Sequence, residues 1–165
     1  MTEPDLVERI EHEGKQYQVN WFDLVGKGLP DLNWQQVYLI GDLDGLVPIV
    51  HYADHHDNLP GGRTEDGESV EQTLIREIDE ELKMKLVFWE PLGYQEWIDI
   101  ETGNTGLGLR VYAKLSKEEE FTNDPGGSVI GHSLVPLEEL NSYINYHAIG
   151  DRMVDLVKML ITKKC

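Results

Sequence analysis

An α/β fold is predicted, with strands surrounding one central helix and further helices at the C-terminus. Three observations in this 165-residue sequence carry it. Short runs that read as strands, each bounded by Gly, Asn, Asp or Pro, recur before residue 53 and again between 86 and 135. Residues 69–82 carry apolar positions at helical spacing. The segment after 136 holds two more helical patterns. At this length the chain forms one domain, 1–165, large enough for a proper core.

The elements follow in order. Leu6–Ile10 and Gln16–Trp21 flank Glu13-Gly14-Lys15 and read as a β-hairpin. Residues 26–33 are a loop rich in Gly and Pro. Gln35–Gly41 and Leu46–Tyr52 form a second pair of strands, with Asp42-Leu43-Asp44-Gly45 as the hairpin turn between them. In the central helix Leu74, Ile78 and Leu82 stand at i, i+4 and i+8, with Ile75 on the same side. Leu86–Trp89 and Tyr94–Ile100 are strand, broken near Pro91-Leu92-Gly93. A turn at Gly103–Gly106 returns the chain through Leu107–Leu115, and 116–127 is an acidic, turn-rich loop. Val129–Val135 is the last strand. Leu137–Tyr146 and Asp151–Lys163 are helices, the second with a stripe of Met153, Leu156, Val157, Leu160 and Ile161.

Charge narrows the function. The chain carries 31 acids against 14 bases, a net charge of −17, which repels nucleic-acid polymers and anionic membranes. A small phosphate-bearing substrate would need a metal ion or local arginines. The N-terminus is acidic and lacks the apolar segment of a signal peptide, and no run of about 18 apolar residues exists. Cys165 is the sole cysteine, so no intramolecular disulfide forms. These features predict a cytoplasmic protein.

The chemistry concentrates in residues 62–84, GRTEDGESVEQTLIREIDEELKM. Glu77, Glu80 and Glu81 stand at i, i+3 and i+4, beside the apolar stripe. Like charges at that spacing each destabilise a helix by roughly 0.2–0.5 kcal/mol. A bound divalent cation would remove that cost. The all-oxygen donor set suits Mg²⁺ or Mn²⁺, with no Cys or His interleaved to favour zinc. Taken alone, three such glutamates read as a solvated acidic face. Here Leu59-Pro60-Gly61-Gly62 precedes them and brings backbone close to the helix, where a glycine carbonyl can be a ligand.

Gly62, Glu68, Arg76, Glu77, Ile78, Glu80, Glu81 and Met84 fill eight of the nine fixed places of the Nudix box, which this stretch resembles. The departure is Lys83, where that family has glycine. Lys83 must either adopt the left-handed conformation that ends the helix or let the helix run on. The resemblance covers nearly the whole chain. It implies an α/β/α sandwich with a mixed central sheet and makes residues 1–33, with their hairpin, an N-terminal extension.

The resemblance further implies a metal-dependent pyrophosphohydrolase. Its substrate is a small nucleoside diphosphate linked to another group, split by water at the phosphoanhydride. Gly62, Glu77, Glu80 and Glu81 hold the metal; Glu68 and Arg76 tie the loop to the helix. A carboxylate takes the proton, from the box (Glu77 or Glu80) or from the 116–127 loop, where Glu118, Glu119 and Glu120 are the candidates. Arg63, directly after the glycines, and Arg110, on a strand across the cleft, are candidates to grip phosphate. A homodimer is left open. The alternative is a nucleotide sensor of the same fold without turnover, although such proteins usually lose box glutamates. An isoprenoid-diphosphate isomerase needs a catalytic Cys within the domain, and Cys165 is terminal. The specific substrate stays open.

Other patterns carry less. Trp34, Trp89, Trp97 and Tyr112 are mostly core, with one or two at the site. His51, His55 and His56 with Asp54 and Asp57 are contiguous and do not have zinc spacing. The glycines at 103–108 lack the dinucleotide fingerprint, and residues 42–45 lack the calcium-loop pattern.

Overall fold

The computed structural model describes residues 2–117, 122, 124 and 128–164. Glu118, Glu119, Glu120 and Cys165 lie outside them. Nine strands and three α-helices form: β1 (Leu6–His12), β2 (Lys15–Asp23), β3 (Gln36–Asp42), β4 (Val47–Tyr52), β5 (Asp57–Asn58), β6 (Gly61–Arg63), α1 (Val70–Leu82), β7 (Met84–Asp99), β8 (Thr105–Lys117), β9 (Val129–Val135), α2 (Leu140–Ile144) and α3 (His147–Lys163), with a 3₁₀ turn at Leu137–Glu139 before α2. A six-stranded sheet runs β1-β2-β7-β8-β3-β6, and a three-stranded sheet runs β5-β4-β9. The central pair β3 and β8 is parallel, while their outer neighbours pair antiparallel, so the large sheet is mixed.

Period two sorts the large sheet's side chains between its faces. Val37 and Leu39 of β3, with Leu109, Val111, Ala113 and Leu115 of β8, pack against Leu74, Ile78 and Leu82 of α1. Ile40 and Tyr112 turn the other way, into a core with Met153, Leu156 and Val157 of α3. The result is the α/β/α sandwich the sequence predicts. Leu74, Ile78 and Leu82 are fully buried, each contributing roughly 1.5–3 kcal/mol. Helix α1 touches β3, β6 and β7 of the large sheet and β4 and β9 of the small one, so it is wedged between the two.

Four expectations need correction. Ile75 is 53% exposed; one helical step of 100° beyond Leu74 carries it off the buried stripe. Strands β3 and β4 meet only at the Leu43–Leu46 bridge across their turn and then part into different sheets. Strand β7 runs unbroken through Pro91, which pairs with Val111, and a register shift between Pro91 and Gly93 accommodates the irregularity. Helix α2 shrinks to five residues, and α3 starts at His147 rather than Asp151.

The N-terminal hairpin is built into the main sheet. β2 pairs with β7 from Tyr17–Asp99 to Asp23–Gly93, and Trp21 is fully buried. From β1, Glu8 Oε1 accepts the Ala148 N–H at 2.8 Å, at the start of α3. Asp23 pairs with Arg152 one turn further along that helix.

Candidate active site

Helix α1 is fixed at both ends, which sets the direction of its glutamates. At its start a capping box closes: Ser69 Oγ accepts from Gln72 N–H at 3.1 Å, and Gln72 Oε1 accepts from Ser69 N–H at 2.8 Å. At its end Lys83 adopts φ 54°, ψ 43°, the left-handed conformation, and its N–H reaches the Asp79 carbonyl at 3.2 Å. The helix therefore stops where a glycine would stop it, despite the Cβ. The Lys83 ammonium lies 3.8 Å from Asp79.

Arg76 binds the box together. Its Nε and Nη2 donate to the two oxygens of Glu68 at 2.8 and 2.9 Å, a bidentate pair. Nη1 donates to Glu77 at 2.9 Å and stands 3.6 Å from Glu80. Nη2 also donates to the Arg63 carbonyl at 3.0 Å, tying the glycine loop to the helix. The Arg76 guanidinium holds the Glu68 carboxyl well below the usual range, at about 2. The Arg63 side chain itself is exposed.

The glycines sit against the carboxylates. Gly61 N–H donates to Glu81 Oε1 at 2.7 Å. Gly61 has φ 137°, and a Cβ there would strike the backbone of Val37 and Tyr38. A Cβ on Gly62 would collide with the Glu77 carboxylate. The absence of a Cβ allows this close approach of backbone to carboxylate.

Burial raises the Glu77 carboxyl, though Arg76 opposes this. Burial also pushes Glu81 up to about 8, reinforced by the charges of Glu77 and Asp124. Asp124 is a residue the sequence did not single out. It is buried and faces both glutamates, and its Oδ2 accepts the Val129 N–H at 3.0 Å, where β9 begins. It belongs to the same acidic loop as Glu118, Glu119 and Glu120, whose structure is not described.

Among the described residues no three His, Cys, Asp or Glu side chains stand in a closed metal-ligand set. Glu77 and Glu80 are instead drawn to Arg76. The pieces nonetheless fit a hard divalent cation. Carboxylates crowd one another at a cost, the donors are oxygen, and a bare glycine backbone adjoins them. The histidine loop does not compete for the role: His51 hydrogen-bonds Asp57 and Ser133, and His56 bonds Asp54.

Arg110 lies on the α3 side of the sheet, in a row of paired positions that runs Gly61, Tyr38, Arg110, Gly93. It is 3% exposed. Its guanidinium rests 4.8 Å from the Tyr38 ring centre and 5.9 Å from that of Tyr146. Burial raises the hydroxyl pKa of Tyr38 and of Tyr52, and both hydroxyls feel Glu81 and Glu77. The aromatic residues beside the box are therefore Tyr38, Tyr52 and Tyr146. Trp34 is buried edge-on to Tyr94 and lines the groove before α1 together with Glu65 and Glu68, while Trp97 packs over Gly106. Tyr112 is buried with its hydroxyl on Asp42. A groove of about 490 Å³ beyond the N-terminus of α1 is lined by Asp31, Glu65, Asp66 and Glu68 with no basic residue, which disfavours it for phosphate.

The family description NUDIX domain matches residues 36–157, and the chain belongs to the Nudix family, whose members hydrolyse pyrophosphate bonds. Solved structures share the architecture. The Bacillus subtilis pyrophosphohydrolase BsRppH aligns with a TM-score of 0.70 at 18% identity, over 92% of this chain and 96% of its own. The NUDIX domain of Shewanella oneidensis NrtR, complexed with ADP ribose, aligns at 0.57 and 16%, over 84% and 96%. A NUDIX hydrolase from Nitrosomonas europaea aligns at 0.60 and 18%, over 75% and 87%. At these identities the likeness is one of fold. No curated protein sequence matches the chain. No helix among the described residues is long and apolar enough to cross a membrane.

Proposed function

We propose that this protein hydrolyses a phosphoanhydride bond in a small nucleoside diphosphate linked to another group, using Mg²⁺ or Mn²⁺. The observation that carries the reading is the convergence of Glu77 and Glu81 on the Gly61–Gly62 backbone, where burial and neighbouring negative charge already penalise their ionised forms. Glu77, Glu80, Glu81 and the Gly62 carbonyl would hold the metal. When bound, such an ion neutralises phosphate charge and acidifies water. Arg76 keeps the glutamates in place, through Glu68 on one side and the Arg63 carbonyl on the other. Arg63 and Arg110 contact the substrate, Arg63 from the exposed mouth and Arg110 from within. A carboxylate must accept the proton of the attacking water. Asp124 is fixed at β9 and faces the box, which favours it over Glu118, Glu119 and Glu120 of the same loop; Glu77 or Glu80 is the choice within the box.

The test is a panel of nucleoside triphosphates, sugar nucleotides and ADP-ribose assayed chromatographically for the nucleoside monophosphate and the other phosphorylated product, with Mg²⁺, with Mn²⁺ and with EDTA. Turnover that vanishes in chelator and returns with metal is expected. Full activity in EDTA would overturn the metal mechanism. Tight binding of one nucleotide without any turnover would favour the sensor reading, which the NrtR domain complexed with ADP ribose brings into view.

A further inference from the structure

We propose that Arg110, Tyr38 and Tyr146 form a recognition site for the nucleobase of the substrate, selecting a keto purine over adenine. Arg110 is buried, yet no carboxylate among the described residues pairs with it. Its Nη1 donates to the neighbouring Leu109 carbonyl at 3.1 Å, and its Nε has no partner at all. Two tyrosine rings and a hydrogen bond to the Tyr146 hydroxyl offset part of the cost of burying the cation but leave its Nε–H unsatisfied. A buried guanidinium with an orphan donor needs an acceptor brought from outside.

The surroundings are built to hold something there. Tyr146 sits in the turn between α2 and α3, flanked by Asn145 at φ 50° and His147 at φ 52°. Asn145 is an ordinary left-handed helix cap, but His147 is held in strain. Asn141 enforces the turn: its Oδ1 accepts Tyr146 N–H at 2.9 Å, and its Nδ2 donates to the His147 carbonyl at 2.8 Å. Only Gly150 lets the α3 backbone pack so close to Asn141. The Tyr146 hydroxyl donates to Asn58, which completes the enclosure. On the other side, the Tyr38 ring abuts Gly61, whose N–H is bonded to Glu81. Arg110 thus lies one aromatic ring away from the box.

The surroundings favour a base over a phosphate. The guanidinium lies against two tyrosine rings, so a ligand that reached its free Nε–H would lie beside the same rings, which suits a planar heterocycle. A buried cation whose orphan donor is a single Nε–H is a poor host for a phosphate dianion, which takes several donors at once. Guanine and hypoxanthine present adjacent O6 and N7 acceptors that match an arginine edge. Adenine places an amino donor there, donor against donor. With Arg110 so buried, entry requires the Tyr146 turn to lift, and the strain at His147 favours that movement.

Only the choice of substrate turned over rests on the hydrolase reading; binding does not. The experiment therefore measures equilibrium binding of guanosine, inosine and adenosine monophosphates, which hold no phosphoanhydride, and of inorganic pyrophosphate. The kcat/KM values for the corresponding triphosphates are measured alongside. Keto purines are expected to bind about tenfold or more tighter than adenosine monophosphate. In Arg110→Gln, whose amide suits adenine, that ratio should fall to unity or invert while pyrophosphate binding holds. Tyr146→Ala, which leaves the sheet intact, should weaken all three monophosphates and serves if the first variant misfolds. Wild-type binding without base preference overturns the proposal. So does an equal loss of pyrophosphate and base binding in Arg110→Gln, which would make Arg110 a phosphate ligand. Base-selective binding with no turnover leaves the site standing and removes the hydrolase reading.

Discussion

Two arginines, Arg76 and Arg110, stand in neighbouring parts of the molecule and are treated in opposite ways. Arg76 is partly exposed and has four glutamates around it, Glu65, Glu68, Glu77 and Glu80. Arg110 is almost wholly buried and has none among the described residues. Arg76 has its charge neutralised inside the fold, so it organises the box and is unavailable to ligand. Arg110 keeps its charge uncompensated in the fold, an arrangement that costs stability and makes sense where a ligand completes it. Ion pairing here separates residues that shape the site from residues that meet what enters it.

The largest effect should come from Glu80, which Arg76 holds more loosely than Glu68 or Glu77, at 3.6 Å. Glu80→Gln is expected to cut kcat by at least about a hundredfold, the loss of several kcal/mol of transition-state stabilisation. Stability should hold or rise, because a crowded acidic face loses a charge. Turnover and melting temperature measured together check both halves, and near-normal turnover would remove Glu80 from the metal set.

The contrast itself is tested by replacing each arginine with methionine. Arg76→Met strands its carboxylates and should lower stability by about 1–3 kcal/mol. Arg110→Met removes an unpaired buried charge at similar volume and should leave stability equal or about 1 kcal/mol higher. Denaturant titration of both decides it. If the two variants lose stability equally, Arg110 is a structural residue and the distinction fails.

A smaller effect is pH-dependent. Because the Glu68 carboxyl is held down at about 2, its pairing with Arg76 stabilises the fold fully above the unfolded value near 4.5. That contribution is lost as pH falls through about 2. The stability gap between wild type and Glu68→Gln should therefore be constant from neutral pH down to about 5 and close below it. A gap that persisted at pH 2 would show that the residue matters through packing instead.

Smallest is Lys83→Gly. With φ at 54°, the lysine carries left-handed strain, so glycine should raise stability by about 1 kcal/mol with activity unchanged. A lower melting temperature would count against the strain.

What the sequence made legible is what lies close together along it. Gly62, Glu68, Arg76 and the three box glutamates fall within one loop and one helix, where spacing alone fixes direction. Asp124, Tyr38, Tyr52 and Tyr146 come from four other segments, and only the pairing of sheets brings them beside the box. The parting of β3 from β4 was hidden for the same reason: a tight turn reads as a hairpin until β8 and β9, far along the chain, claim the two strands separately. Pro91 read as a break because the register shift that accommodates it is not written in its neighbours.

The hydrogen bond from Ala148 to Glu8 has a reach beyond the first turn of α3. That helix has no side-chain cap of its own, since Tyr146 at the cap position is turned toward Asn58 and Arg110. The capping duty is delegated to a strand 140 residues upstream. Tyr146 is thereby left to pack against Arg110 and bond Asn58, so the N-terminal hairpin braces the start of the helix that follows it.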